Sequence, residues 1–399
     1  MITTELSFVC NESILHKPRN DFVVLLLKAI RPIAGSLSQK VFFRAGLRTR
    51  LVSAQTRKTM RSRSLIQTLV ASTAIVCSLA TAATAAQPLV IYAAIGYDTA
   101  MGDAFQKATG IPTKVVDGST GPLLAKVTAE KQNPQWGIIW VDGAQGMRAL
   151  ASQGLLKPFS PKVDWSAIGT ELQPKDGAYT ATAVSIAGAI VVNTKKLPNK
   201  ADWPTSWDDL TKPAFKGKVG MNNPAISGPT YPMVAGMMQW QGGVEQGKAW
   251  WKKMKANDVK VFDTNGPNLR ALGLGVTSVA IAQDSAGIGR KLKGQPFAVV
   301  YPHPVSLLPR TIAISAGATP EVQKEAEQFI QFVLSKEGQK IAMTGDAGGD
   351  SLFNPLVKGE KADASLPSVA SLKTQYLDPM VWGPREASIV TWFTNNIVH

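Results

Sequence analysis

The chain has 399 residues, 45% of them apolar and 18% charged, which is too long for one compact domain and too apolar for disorder. The formal charge of +15 sits mostly at the front: residues 1–86 hold 12 Lys/Arg against 3 Asp/Glu, leaving about +6 for the rest. With no long basic block beyond Arg63, nucleic-acid binding is not expected.

Met60-Arg61-Ser62-Arg63-Ser64 is a short positive start. An uncharged apolar run from Leu65 to Ala80 follows, and then the small residues Thr81 to Ala86. This is the order of a secretory signal peptide, with cleavage expected after Ala85 or Ala86. The run is too short and too rich in hydroxyls for a membrane span of ~20 residues. The triplet before Cys77, Ala74-Ile75-Val76, lacks the small residue of a lipid-attachment site. Residues 1–59 then precede a signal that works at an N-terminus. They are expected to be a misassigned or unstructured extension, with Met60 the true start and 60–86 the signal. Both cysteines, Cys10 and Cys77, lie in this front part. Disulfides, thiol nucleophiles and thiolate metal sites are thereby excluded from residue 87 onward.

From residue 87 the pattern alternates. Strands are predicted at Leu89–Ala93, Thr113–Asp117 and Gly137–Val141. Helices are predicted at Asp98–Thr109, Pro122–Lys131 and from Ala144 to about Gln153. Alternating β and α with short links implies a parallel sheet covered by helices. Ile186–Val192 reads as one further strand. Val219–Asn222, Val259–Asp263, Val279–Gln283 and Ala298–Tyr301 follow, then Thr311–Ser315, with a helix around Gly247–Ala256. Thr319-Pro320-Glu321 opens a helix with a capping hydroxyl, proline in the first turn and an acid there.

Few residues carry catalytic chemistry. Past residue 87 the histidines are His303, between two prolines, and His399, so neither a His-based triad nor a metal cluster is expected. Gly242 to Lys248 fits the first part of a phosphate-loop motif, but Ala249 stands where Ser or Thr must bind magnesium. The positive signal is a repeated device. Thr120-Gly121-Pro122, Ser227-Gly228-Pro229 and Asn265-Gly266-Pro267 each place a polar residue and Gly-Pro at a helix start. Helix N-termini carry free N–H groups and partial positive charge, so three of them offer an anion site without Lys or Arg. Asp284, after the apolar strand Val279–Gln283, and Tyr97, after the first strand, stand where open α/β sheets bind ligands.

Ser119 to Lys126, Phe262 to Pro267, Ala280 to Ser285 and Ser335-Lys336-Glu337-Gly338-Gln339 resemble the extracellular solute-binding proteins of ABC importers. The branch they resemble is the one that serves ferric iron, 2-aminoethylphosphonate, thiamine, polyamines and sugar phosphates. The resemblance implies an α/β, two-lobed periplasmic-binding-protein type II fold, with two mixed sheets flanked by helices and joined by hinge strands. Lobe 1 is expected over 87–186 and 307–345, and lobe 2 over 187–306 and 346–399. It implies a periplasmic, monomeric protein that is not an enzyme and needs no cofactor or resident metal. Its partners would be a small-molecule solute and an inner-membrane permease with its ATPase. Solute contacts are expected from Tyr97, Ser119, Thr120, Gly121, Asp142, Ser227, Gly228, Thr230, Asn265, Asp284 and Ser285. Iron-binding members use two adjacent tyrosines where this chain has Asp284-Ser285, so a small anionic organic solute is favoured, an aminophosphonate before a sugar phosphate. Ferric iron, thiamine or a polyamine is the alternative, and a secreted enzyme on the same fold is the alternative class.

Overall fold

The computed structural model describes residues 87–344 and 352–399. The expected signal peptide and extension lie outside those residues. Among the described residues, no helix is long and apolar enough to cross a membrane.

The first half follows the predicted alternation: β1 (Leu89–Ala93), α1 (Asp98–Thr109), β2 (Thr113–Asp117), α2 (Thr120–Ala129), β3 (Ile138–Asp142) and α3 (Gln145–Ser152). Strand β1 lies between β2 and β3 and is parallel to both. Alternate residues serve opposite faces, as the strand period of two requires. Ile91, Ile138 and Trp140 pack with Phe105 of α1, while Tyr92, Ile139 and Val141 pack with Leu123 and Val127 of α2.

After β4 (Leu156–Lys157) and α4 (Ala167–Leu172), strand β5 (Thr180–Ile186) closes on the same sheet. Strand β6 (Ala189–Asn193) opens another. The sequence presents Ile186–Val192 as a single strand, and the structure divides it at Ala187-Gly188. The chain must pass from one sheet to the other there, and a Cβ on Gly188 would run into Met233. The second sheet has the order β10-β6-β9-β7-β8. Its other strands are β7 (Val219–Asn222), β8 (Lys260–Phe262), β9 (Val279–Ala282) and β10 (Phe297–Val300). Between them run α5 (Thr230–Trp240), α6 (Val244–Ala256), α7 (Asn265–Leu274) and α8 (Asp284–Leu292).

Strand β11 (Val305–Ser315) returns to the first sheet, antiparallel to both β3 and β5. It is longer than the predicted Thr311–Ser315, because pairing with β5 from Leu307 onward, and with a short tail strand at Val305 and Ser306, carries the buried ladder back past Pro309. Helices α9 (Pro320–Val333) and α10 (Lys336–Thr344) follow. In the tail, β12 (Asn354–Pro355) pairs with β5 and β13 (Thr374–Gln375) with β11. After them come α11 (Pro379–Trp382) and α12 (Glu386–Phe393), whose Trp382 and Phe393 join the core around α5 and α6. The result is two mixed sheets flanked by helices, in two lobes joined by extended segments.

Candidate functional site

A cavity of about 220 Å³ lies where the carboxyl ends of six strands converge. Its walls are the links that leave those strands: Ala94-Ile95-Gly96 after β1, Asp117 to Thr120 after β2, and Asp142 ending β3. From the second sheet come Ile226 to Pro229 after β7, Thr264-Asn265-Gly266 after β8, and Gln283 after β9. Arg310 of β11 completes the lining.

Three helices begin at this cavity, namely α2, α5 and α7. Their N-cap residues Ser119, Pro229 and Thr264 make no side-chain cap bond. Elsewhere capping is mixed: Ser166 Oγ accepts from Gly169 N at 3.1 Å and Thr319 Oγ1 from Val322 N at 3.4 Å, whereas α1, α3 and α6 also start without a side-chain cap. First-turn N–H groups have no partner within the helix, so uncapped starts leave donors and partial positive charge at the cavity.

Of the sequence-predicted residues, Ser119, Thr120, Asp142, Ser227, Gly228 and Asn265 come together on this lining. Gly121 lies beside it and spends its N–H on Ile226 O across the gap, at 3.2 Å. Helix α2 and the Pro224 to Ser227 link meet there so closely that a Cβ on Gly121 would collide with Ala225 O and lie 2.9 Å from its carbonyl carbon. A Cβ on Gly228 would likewise run into Thr120 and come within 3.0 Å of Asp142 O. The two halves of the molecule touch through glycine at both points.

Asp142 is not an open carboxylate. Arg310, opposite it in the β3–β11 register, donates Nε to Oδ1 at 2.8 Å and Nη2 to Oδ2 at 3.3 Å. The guanidinium is 1% exposed and also stacks over Phe353 at 3.7 Å and Tyr97 at 5.0 Å. Burial works against its charge, but Asp142 and Tyr97 outweigh that and hold it above the usual arginine range. Tyr97 is thus behind the wall, edge-on to Trp140 at 5.4 Å and supporting Arg310, and is not part of the lining.

Asp284, Ser285 and Thr230 are buried and off the lining. The Asp284 carboxylate accepts from Ser185 Oγ, Ile186 N (3.1 Å), Ser285 N (2.8 Å) and Tyr301 Oη (3.2 Å). Burial pushes its pKa up, and those hydrogen bonds oppose the rise. It ties the end of β5, where the chain changes sheets, to the start of α8. Ser285 Oγ accepts from Gln283 Nε2, and Thr230 donates its N–H to Ser227 O at 3.1 Å.

Sequence reasoning missed Arg310, Gln283 and Asn222. The signal for Arg310 was present as a single arginine within the apolar run Val305–Ser315. Nothing local distinguishes Asn222, which lies behind the wall and donates Nδ2 to Asn265 Oδ1 at 2.7 Å and to Ser227 Oγ at 3.4 Å. Among the described residues, no group of three or more His, Cys, Asp or Glu stands together. What the cavity offers is chiefly hydrogen-bond donors: helix N–H groups, hydroxyls, amides and a paired guanidinium.

The profile of the bacterial extracellular solute-binding proteins matches residues 100–358. A periplasmic protein of Salmonella typhimurium named for 2-aminoethylphosphonate binding is 24% identical over 243 residues, 59% of this chain and 68% of the relative. Among solved structures, AfuA of Actinobacillus pleuropneumoniae, with fructose-6-phosphate bound, superposes with a TM-score of 0.67. It is 23% identical, over 78% of this chain and 98% of that one. Iron-bound HitA of Pseudomonas aeruginosa also gives 0.67, at 24% identity over 76% of this chain and 98% of its own.

Proposed function

Because the chain belongs to the bacterial extracellular solute-binding proteins, we propose that it is the periplasmic capture component of an ABC importer for a small organic anion bearing a phosphonate or phosphate group. The observation that carries this reading is the convergence of three uncapped helix N-termini, with Ser227 and Asn265, on one cavity. Anions bind helix N-termini through free N–H groups and the dipole together. The volume of about 220 Å³ is roughly seven water volumes, and below the range of drug-sized pockets. It suits a compact solute.

Asp117, at the rim of the lining, adds an acceptor that an ammonium or a sugar hydroxyl would use. This favours an aminophosphonate, with a sugar phosphate next. Ferric iron demands anionic oxygen donors, whereas this lining supplies Asp117 and an Asp142 already paired with Arg310. Thiamine calls for an aromatic wall, and the lining holds no aromatic side chain. Solute capture closes the two halves through the Gly121 and Gly228 contacts, with the extended links beside Gly188 as the hinge.

The test is isothermal titration of the purified protein with 2-aminoethylphosphonate, fructose-6-phosphate, inorganic phosphate, thiamine, spermidine and ferric citrate. The expected result is binding of a phosphonate or phosphate ester that the double variant Ser227→Leu/Asn265→Leu abolishes while remaining folded. Binding of ferric citrate or thiamine alone, or undiminished affinity in the double variant, would refute the proposal.

A further inference from the structure

We infer that Asn222 and Asn268 are positioning residues that fix the polarity of the cavity, forcing both Ser227 and Asn265 to face the solute as donors. The inference rests on the anion reading above and goes beyond it by assigning a role to two residues that do not line the cavity.

One atom of the network has no choice of role. Ile281 O, in β9, is a backbone carbonyl and accepts only. Asn268 Nδ2 donates to it at 3.0 Å. Turning the Asn268 amide over would set carbonyl against carbonyl, so its orientation is determined. The same nitrogen donates to Asn222 Oδ1 at 2.9 Å. Asn222 must therefore present Nδ2 on its other side, where it meets Asn265 Oδ1 at 2.7 Å and Ser227 Oγ at 3.4 Å. Asn265 thus has its carbonyl turned inward, and its NH₂ is the group left for the cavity. The Ser227 oxygen accepts from behind, which frees its O–H to donate outward.

The local structure is shaped for this relay. Asn222 ends β7 and is 2% exposed; Asn268 lies one helical turn after Asn265 on α7 and is fully buried. Gly220, two residues back on the same face of β7, provides the space, since a Cβ there would collide with Asn268 Oδ1. Asn268 Oδ1 is buried without a hydrogen-bond partner, a cost that the two bonds from its Nδ2 offset, and those two bonds specify one arrangement of the connected amides. Without the relay, Asn265 could turn its carbonyl to the solute and repel an anion.

Two measurements test the relay. The first needs no ligand: hydrogen exchange of the three side-chain amides, followed by NMR. The expected order is slow exchange for Asn222 and Asn268 and fast exchange for Asn265. Protection of Asn265 with fast exchange at Asn222 overturns the relay. The second is titration with 2-aminoethylphosphonate and inorganic phosphate, comparing wild type with Asn222→Asp. An aspartate of the same shape accepts only, so Asn265 and Ser227 would turn inward to donate to it. Affinity is expected to fall at least tenfold, with Asn265 amide exchange slowed. Equal affinity in the folded variant overturns the relay. If wild type binds neither anion, the anion reading fails, and the amide exchange still decides the relay by itself. A variant that does not fold leaves the wild-type exchange order to decide it.

Discussion

Gly121→Ala separates closure from folding. The glycine is in the first turn of α2, and no left-handed backbone angle is recorded for it, so alanine is acceptable there and favours the helix by about 0.8–1 kcal/mol. Across the gap, however, the added methyl would lie 2.9 Å from the carbonyl carbon of Ala225, with the carbonyl oxygen closer still. Ordinary carbon contacts are about 3.5–4.0 Å, so the carbon contact alone would part the halves by roughly 0.6–1.1 Å, and the nearer oxygen demands more. The Gly121 N–H to Ile226 O bond, already 3.2 Å long, would break and cost about 1 kcal/mol. Overpacking of this kind typically costs about 1–3 kcal/mol. The closed form is therefore penalised by about 2–4 kcal/mol, whereas an open form gains the helix term. At about 1.4 kcal/mol per decade, solute affinity should drop by roughly 30- to 700-fold. The ligand-free melting temperature should stay level or rise slightly. Calorimetric titration reads the first quantity and a thermal melt without ligand the second. Undiminished affinity would show that the Gly121–Ala225 contact has no part in binding, and a lost affinity matched by a lowered ligand-free melting temperature would show plain misfolding.

Further outcomes follow from the buried charges. Asp142→Asn leaves the Arg310 guanidinium without its carboxylate in an interior that exposes 1% of it; breaking one half of such a pair costs about 3–5 kcal/mol, measured as a large fall in urea midpoint. A midpoint close to wild type would mean that the pair is solvated. Glu386 opens α12 with Oε2 buried and unpartnered, and burial raises its pKa from the ordinary 4.5 to about 7. An acid with a raised folded-state pKa holds more protons folded than unfolded between those values. Stability is therefore fully present below about pH 4.5 and declines as pH rises toward 7, by an amount on the order of 3 kcal/mol. Glu386→Gln should flatten that part of the stability–pH profile and stabilise the protein at pH 8; identical slopes in the two proteins would contradict the buried-acid assignment.

The parts of the site legible in the sequence were those encoded locally. Gly-Pro pairs preceded by Thr120, Ser227 and Asn265 mark helix starts through backbone preferences that need no partner, and all three reach the cavity. What was not legible depends on pairing across long separations. Asp284 follows an apolar strand just as a ligand-binding acid would, and only the packing of Ser185 and Tyr301 against it reveals the carboxylate as a tie at the sheet crossing. Gly188 looks like any strand glycine until Met233 of a distant helix is set against it. Arg310 was visible as an anomaly, but its partner is 168 residues away, and antiparallel register alone brings Asp142 opposite it. The Asn222 relay leaves no pattern at all, because asparagine spacing carries no information about which amide face points inward.

If the solute is the anion proposed above, the electrostatics of the cavity would let the site be both stable without solute and selective for charge. A bare buried cation would be expensive whenever the cleft held no solute, and the Asp142 partner offsets part of that cost. The charge complementary to an anion then comes largely from helix termini, each equivalent to about half an elementary charge, so three supply roughly +1.5. A phosphate ester near neutral pH carries about −1.5 to −2, a close match without a desolvated lysine. The three termini are divided between the halves. Helix α2 packs on the first sheet through Leu123 and Val127, while α5 and α7 pack on the second through Met233, Val234 and Leu269. Neither half alone provides the full complement. An anion bound to one half gains the remaining dipoles only when the other half arrives. That difference in affinity between open and closed arrangements is the quantity that can shift the equilibrium toward closure. A neutral solute of the same size would lack it, so on the anion reading selectivity for charge and commitment to closure would have the same physical source.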